Sequence, residues 1–376
     1  MKKNKNITEL LKKKKKQQRK HNTLQQLQKK RKKHPFPTKS SAPWKVPGIL
    51  FFSTLIIIIL VIPTLVVVPY VNEGQEQDVT VEKEATKTAI KLGESPFSVA
   101  VMRAGSDEVE NVPLETYVSR VVASEMPAEF ELQALKAQAL AARTYIVDHV
   151  LHNGKAADSE VTDTVNDQVY HNEKELRKLW GSDYNWKMNK IKKAVAETQG
   201  EILTYKGEPI TPAFFSTSNG YTENSEDYWK NKVPYLRSVK SPWDENSPKY
   251  LDQKIFKVSE VANLLGVDLP ENKTLSFEIS RTEGNRVAQL GVAGETFTGR
   301  QVRETLKLRS SDFTIEQKND HLIFQTKGYG HGIGMSQYGA NGMAEEGKTY
   351  KEIVTYYYQG VEVSTVNETA PTLVAK

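Results

Sequence analysis

Apolar and polar positions divide the chain into segments with different predicted structures. Residues 46–72 contain no charged side chain and are mostly apolar. About 20 apolar residues suffice to span a bilayer as a helix. A cleaved signal peptide would have a shorter apolar stretch followed by a small-residue cleavage site, whereas Pro63 and Pro69 stand here. The pattern therefore predicts a single transmembrane helix over 46–72.

Beyond the apolar segment, the pattern predicts a folded domain that contains both helices and strands. Residues 73–95 are polar and acidic, which is typical of a stalk, and residues 363–376 are interpreted as a tail. We expect an α+β fold over 96–362, a mixed α/β domain with a smaller subdomain inserted at about 255–325. The predicted strands lie at about 97–101, 202–205 and 213–215, and the predicted helices at about 113–126, 131–152, 187–199, 258–265, 299–306 and 349–358.

The segment before the predicted transmembrane helix is strongly basic. Residues 1–45 hold seventeen Lys or Arg and one acid, Glu9, although the formal net charge of the whole chain is only +6. By the positive-inside rule this segment stays in the cytoplasm, which leaves the C-terminal domain outside the cell membrane. Binding of nucleic acid or anionic lipid is the alternative. Aromatic residues for base stacking are nearly absent there, so we expect no nucleic-acid partner.

Several classes of active site find no support in the sequence. The chain has no cysteine, which excludes disulfides, thiolate nucleophiles and cysteine-ligated metals. His149 and His152 are spaced to bind zinc from one helix face, but no convincing third ligand is evident. No G-x-S-x-G motif is present to support a serine nucleophile. We therefore expect neither a metal nor any other cofactor.

A carboxylate at a predicted helix end is a candidate for acid–base chemistry. Glu125 is followed by Met126 and by Pro127, which disfavours continuation of the helix. The negative end of the helix dipole disfavours the ionised form, so the pKa of Glu125 should rise, as a general acid requires. An ordinary surface glutamate is the alternative interpretation.

Two further segments contain candidate ligand-binding side chains. Arg143 projects from an alanine-rich helix, from which it could reach a cleft or form a surface salt bridge. Ser216, Thr217 and Ser218 follow a predicted strand. Their short polar side chains suit hydrogen bonds to sugar hydroxyls and N-acetyl groups, although they would equally suit a capped turn.

The most unusual stretch is rich in glycine. Residues 328–339 contain five glycines, which indicates special backbone angles or close approach to another group. His331, Gln337 and Tyr338 lie in this stretch, which does not match a phosphate-binding loop. We regard His331 as a candidate site residue.

Four segments together resemble the stage II sporulation protein D family, within a wider family that includes amidase enhancers. They occur in order at 122–127 (VASEMP), 134–145 (ALKAQALAARTY), 214–229 (FFSTSNGYTENSEDYW) and 330–340 (GHGIGMSQYGA). The resemblance implies a lytic transglycosylase in which Glu125 is the catalytic acid/base and Arg143 belongs to the same cleft. Substrate-binding positions are implied for the residues at the other motif positions, namely Ser216, Thr217, Ser218, His331, Gln337 and Tyr338.

The resemblance also implies a substrate and partners. The expected substrate is the glycan strand of peptidoglycan whose stem peptides have been removed, cut to 1,6-anhydro-N-acetylmuramyl ends during engulfment in spore formation. The expected partners are a sporulation amidase or endopeptidase and a membrane scaffold protein, at the engulfing membrane. Some relatives carry a Cys/His zinc cluster before a Q-V-Y motif, but residues 160–170 lack both residue types. The alternative is a non-catalytic peptidoglycan-binding activator of an N-acetylmuramoyl-L-alanine amidase.

Overall fold

The fold was examined in a computed structural model. It describes residues 90–153, 161–164, 166–270 and 273–374. The basic segment at 1–45, the predicted transmembrane helix at 46–72 and most of the predicted stalk lie outside these ranges. Within them, no helix is long and apolar enough to cross a membrane. The described residues form helices and several small sheets, which confirms the α+β class.

The first part of the fold is built around one long, buried helix. In chain order its elements are β1 (Ser98–Arg103), β2 (Glu108–Pro113), α1 (Leu114–Glu125), α2 (Leu132–Asn153), β3 (Val161–Thr162), α3 (Glu173–Trp180), α4 (Tyr184–Ala196), β4 (Glu201–Tyr205), β5 (Glu208–Pro209) and β6 (Phe214–Phe215). Helix α2 packs against α1, α4 and β4, and its Ala134, Ala137 and Ala141 are fully buried. Residues 137–144 of this helix are all buried, so its middle lies in the core and not at the surface.

A second hydrophobic core lies where the sequence predicts a smaller subdomain. After the short helix α5 (Ser225–Tyr228) come β7 (Leu251–Lys257), α6 (Val258–Leu265), β8 (Glu278–Arg281), β9 (Val287–Val292), β10 (Glu295–Thr298), α7 (Gly299–Thr305), β11 (Phe313–Lys318) and β12 (His321–Lys327). The strands form two antiparallel sheets, ordered β10-β9-β8 and β11-β12-β7. Val261, Leu290, Val302 and Phe324 are buried together in this core.

The last elements return to the first core. They are β13 (Met335–Ser336), α8 (Gln337–Glu345), α9 (Tyr350–Tyr357), β14 (Glu362–Thr365), α10 (Val366–Thr369) and α11 (Pro371–Val374). Strand β13 pairs in parallel with β6, which brings the glycine-rich stretch beside the serine-rich turn. Strand β14 pairs with β4, and Val366 and Ala370 are buried. The fold therefore continues beyond residue 362, into the segment interpreted as a tail.

The folded part also begins slightly earlier than the sequence indicates. Leu92 packs against the first core, and the Ser95 hydroxyl accepts a hydrogen bond from the Glu115 backbone N–H at 3.0 Å. Both residues fall in the predicted stalk. The end of that stalk is thus joined to the start of α1.

Candidate functional site

Glu125 is the last residue of α1, and two distant segments hold it in place. The chain leaves the helix at Met126, whose backbone is extended, as Pro127 requires. The Glu125 carboxylate accepts a hydrogen bond on Oε1 from the Val169 backbone N–H at 3.1 Å. The backbone carbonyl oxygen of Glu125 accepts a second hydrogen bond, from Nε2 of Gln337, also at 3.1 Å. The side chain is partly exposed, so a ligand can reach it.

The environments of Glu125 and Glu129 shift their pKa values in opposite directions. Burial raises the pKa of the Glu125 carboxyl, and the Val169 hydrogen bond acts against this rise. A hydrogen bond from the Lys187 ammonium, at 2.7 Å, lowers the pKa of Glu129. Glu125 is therefore the better proton donor of the two.

A network of hydrogen bonds fixes the segment that supplies Val169. The Asp167 carboxylate accepts bonds on Oδ2 from the Thr162 backbone N–H at 2.8 Å and from the Thr162 hydroxyl at 2.7 Å. Its Oδ1 accepts a bond from the Tyr145 hydroxyl at 3.0 Å. The Asp167 carboxylate and two hydroxyls thus tie together the segment that leads to Val169.

The Asp167 network leads us to expect that folding is independent of metal. Among the described residues, no group of three or more His, Cys, Asp or Glu side chains is arranged to hold a metal ion. Incubation with EDTA should therefore leave the melting temperature of the purified protein unchanged. Elemental analysis that found stoichiometric zinc, or a lower melting temperature after chelation, would contradict this prediction.

A buried carboxylate organises the serine-rich turn. Asp244 lies in the 3₁₀ helix Pro242–Asn246 and is fully buried. It accepts hydrogen bonds from the backbone N–H and the hydroxyl of Ser218, both at 2.8 Å, from the Ser241 hydroxyl at 2.6 Å, and from the Ser336 hydroxyl. Asp244 thereby joins the two motif segments. Sequence reasoning missed it because no local pattern marks it.

The three candidate residues of the turn are not equally accessible. Thr217 and Ser218 are buried, and the Thr217 hydroxyl lies 3.0 Å from that of Ser247. The expectation that both bind sugar is therefore corrected, since their hydroxyls are bonded inside the protein. Ser216 is partly exposed, and its carbonyl oxygen accepts a hydrogen bond from the Tyr338 backbone N–H at 3.1 Å.

His331 is surrounded by aromatic rings. The centroids of Phe215, Tyr228 and Trp229 lie 5.7, 5.9 and 6.1 Å from the imidazole centroid. Its Nδ1 accepts the Ile333 backbone N–H at 3.0 Å. Burial, together with nearby arginines, lowers the pKa of His331 to about 4. The ring is therefore neutral at pH 7 and orders the glycine-rich stretch from within an aromatic cluster.

Gln337 is the residue of the glycine-rich stretch that contacts Glu125, and Tyr338 follows it in the chain. Gln337 is 6% exposed and donates to the Glu125 carbonyl, so it positions the end of α1. Tyr338 is partly exposed and packs edge-on against Phe130, with ring centroids 4.9 Å apart. Tyr338 thus offers an aromatic surface beside Phe130, five residues after the candidate acid.

Gly334 allows this stretch to lie so close to β6. Its φ is +75°, and a Cβ there would lie 2.0 Å from the Ala213 carbonyl oxygen. Any other residue would be strained and would push the two segments apart. The glycine therefore sets the position from which Gln337 meets Glu125.

Arg143 does not line a cleft, which corrects the expectation from the sequence. Its guanidinium donates to the Glu115 carboxylate, with Nε–Oε1 at 3.0 Å and Nη2–Oε2 at 2.7 Å. Nη1 donates to the Glu201 carbonyl oxygen at 3.0 Å. The two paired side chains are 0% and 1% exposed. The pair joins α1, α2 and β4 in the core, away from solvent.

Comparisons with known proteins agree with the resemblance. A family model described as stage II sporulation protein matches residues 102–205. The chain is 49% identical to stage II sporulation protein D from Bacillus subtilis (strain 168) over 323 residues, which is 83% of this chain and 94% of that protein. It is 47% identical to stage II sporulation protein D from Bacillus amyloliquefaciens over 342 residues, 88% of this chain and 99% of that protein.

A more distant relative has a different name. The chain is 30% identical over 299 residues to an amidase enhancer from Bacillus subtilis (strain 168), which is 65% of this chain and 40% of that protein. Identity to the two sporulation proteins extends over most of their length and of this chain. The chain therefore belongs to the stage II sporulation protein D family.

Proposed function

We propose that the chain is a lytic transglycosylase that cuts the glycan strands of peptidoglycan during spore formation. The supporting observation is Glu125, a partly exposed carboxyl at the end of a helix whose pKa is raised by burial. Hydrolytic glycosidases generally use two carboxylates. A lytic transglycosylase uses the C6 hydroxyl of the sugar itself as nucleophile, so that one carboxyl suffices.

The reaction needs Glu125 in both protonation states. The protonated carboxyl donates its proton to the glycosidic oxygen while the bond from that oxygen to C1 of N-acetylmuramic acid breaks. The resulting carboxylate accepts the proton of the C6 hydroxyl while the oxygen of that hydroxyl bonds to C1. The products are a 1,6-anhydro-N-acetylmuramyl end and a new 4-hydroxyl end. Glu125 is protonated again, and no water is consumed.

Product analysis tests this proposal. Peptide-free glycan strands are incubated with the purified full-length protein, and the ends are identified by mass spectrometry. Anhydro-muramyl ends are expected, whereas reducing ends would indicate hydrolysis. Similarity to an amidase enhancer favours a second candidate, a non-catalytic activator of an N-acetylmuramoyl-L-alanine amidase. That function predicts intact strands, and faster peptide removal when the amidase is added.

The proposal extends to substrate, partners and location. We take the substrate to be strands already stripped of stem peptides by a partner amidase or endopeptidase. The complex would include a membrane scaffold protein at the engulfing membrane. The basic residues 1–45 and the uncharged residues 46–72 support a single-pass protein whose catalytic domain lies outside the membrane.

Protease protection tests the location. We expect that protease added to intact protoplasts digests the domain at 96–362 and spares the segment at 1–45, because the basic segment stays inside. Antibodies against each segment report the result on blots. Permeabilised protoplasts are the control, in which both segments should disappear. Survival of the domain in intact protoplasts would contradict the proposed topology.

The pKa of Glu125 predicts a pH dependence. A general acid works in its protonated form, and burial favours that form at Glu125. We therefore expect kcat/KM to fall as pH rises through a midpoint above the ordinary glutamate pKa of about 4.3. Glu129→Gln should leave the midpoint unchanged. A midpoint at or below 4.3 would contradict the assignment of Glu125 as the acid.

A further inference from the structure

A line of aromatic and cationic side chains begins at Tyr338, the residue after the Gln337 that contacts Glu125. Lys249 Nζ lies 5.9 Å from the ring centroid of Tyr338 and 5.6 Å from that of Tyr329. The Arg309 guanidinium carbon lies 5.6 Å from the Tyr329 centroid. Tyr329 is 39% exposed, although large aromatic residues are normally buried. These four residues, Tyr338, Lys249, Tyr329 and Arg309, are called the aromatic track below.

The aromatic track ends at a cavity on the second subdomain. Arg309 Nε lies 3.5 Å from Oδ1 of Asp252, which lines a cavity of ≈ 800 Å³. Gln253, Gln325 and Lys327 also line it, on the neighbouring strands β7 and β12. Strand β12 continues directly into Tyr329, so that the cavity and the aromatic track share one stretch of backbone. The cavity thus presents amide and charged groups in line with the track.

The chemistry of these groups fits a sugar polymer that carries carboxylates. Aromatic faces pack against sugar rings, and side-chain amides form hydrogen bonds with hydroxyls and N-acetyl groups. Lys249 and Lys327 have no carboxylate partner in the described part of the chain, so their ammonium groups are available to a ligand. An N-acetylmuramic acid without its stem peptide carries a free lactyl carboxylate, which pairs well with lysine or arginine. With the peptide attached, that carboxylate is an uncharged amide.

We propose that the aromatic track and the cavity bind the glycan strand beyond the bond that is cut, and that Lys249 and Lys327 recognise the free lactyl carboxylates of peptide-free strands. This inference rests on the proposed function for its class of substrate. It gives a physical reason for selecting strands after peptide removal, because only those strands present a carboxylate on every second sugar. Long strands gain most, since only they extend from Glu125 to the cavity.

Binding to an uncut strand tests the inference. Full-length Glu125→Gln protein in detergent is titrated with peptide-free glycan strands and with chitin oligosaccharides of equal length, which lack the lactyl carboxylate. We expect tighter binding of the peptide-free strands, with a preference that weakens as salt is added. Lys249→Gln and Lys327→Gln should each weaken that binding about threefold, the typical size for an exposed charge pair. Neither should change binding of the chitin oligosaccharides.

Lys318→Gln is the matched control. Lys318 is an exposed lysine at the far end of β11, and its Nζ lies 3.3 Å from a Glu316 carboxylate oxygen. This variant should bind both ligands as the parent does. Equal affinity for the two ligands, or an equal loss in all three variants, would overturn the inference. Binding is measured here without cleavage. If the protein bound the peptide-free strands more tightly than chitin but produced no anhydro ends, that result would contradict the proposed function and leave this inference standing.

Discussion

Replacement of Arg143 by alanine should lower the free energy of unfolding by about 3–5 kcal/mol, the range for breaking a buried ion pair. The Glu115 carboxylate would remain buried, with the Gly200 backbone N–H, at 3.1 Å, as a remaining hydrogen-bond donor. For a domain of this size the melting temperature should fall by roughly 10 °C. Denaturant titration followed by circular dichroism measures the free energy of unfolding, and calorimetry measures the melting temperature.

An exposed ion pair provides the matched control. Lys348 lies 3.2 Å from Glu352 one helical turn away, and both side chains are about half exposed. Lys348→Ala should hardly change the melting temperature, because solvent screens the pair. The double variant Arg143→Met with Glu115→Leu should regain much of the stability, since it leaves no buried charge unpaired. If Arg143→Ala melted at the parent temperature but no longer cleaved glycan, that result would instead support a role for Arg143 at the substrate.

The case of Arg143 shows what sequence spacing can and cannot reveal. The apolar spacing around Arg143 predicts a helix at about 131–152, and α2 spans Leu132–Asn153. That periodicity is local, so it can be read from the chain. The partner of Arg143 comes from α1, 28 residues earlier, and only the packing of the two helices brings them together. A surface arginine and a buried one look alike until that packing is known.

Helix α8 was missed for a related reason. The sequence pattern predicts no helix at 337–345, and each glycine there costs a helix about 1 kcal/mol relative to alanine. A Cβ at Gly339 would lie 2.1 Å from the Tyr357 hydroxyl, and one at Gly342 would lie 2.3 Å from Trp243 Cβ. Close packing against these side chains requires glycine inside the helix. The cost in helix propensity is offset by contacts that are distant in sequence.

The candidate acid was easier to predict than its surroundings. Glu125 stands out because a helix visibly ends at Pro127, which is a local signal. The Val169 N–H that contacts its carboxylate is a backbone group, and any residue but proline supplies one. Asp244 is one acid among many in the sequence, and only its burial beside three serine hydroxyls distinguishes it. Such contacts depend on tertiary structure.

Replacement of Glu125 by glutamine should abolish nearly all glycan cleavage without unfolding the protein. Glutamine has the same size, and its amide oxygen can still accept the Val169 N–H bond, so that the end of α1 should keep its structure. It can neither donate a proton to the leaving oxygen nor take one from the C6 hydroxyl. Positioned acid–base groups supply on the order of 10²–10⁴-fold in rate. The loss should reach the upper end of that range or beyond, since one group serves both steps.

Two nearby carboxylates are internal controls for this variant. Glu129, held by Lys187, and Glu131 both follow the turn at the end of α1 and are exposed. Glu129→Gln and Glu131→Gln should keep most of the cleavage rate, because neither carboxyl is buried as that of Glu125 is. The rates are compared on peptide-free strands, with melting temperatures measured in parallel. Substantial activity in Glu125→Gln together with loss in either control would move the acid to that control residue. Full activity in all three would exclude a mechanism that relies on one carboxyl in this turn.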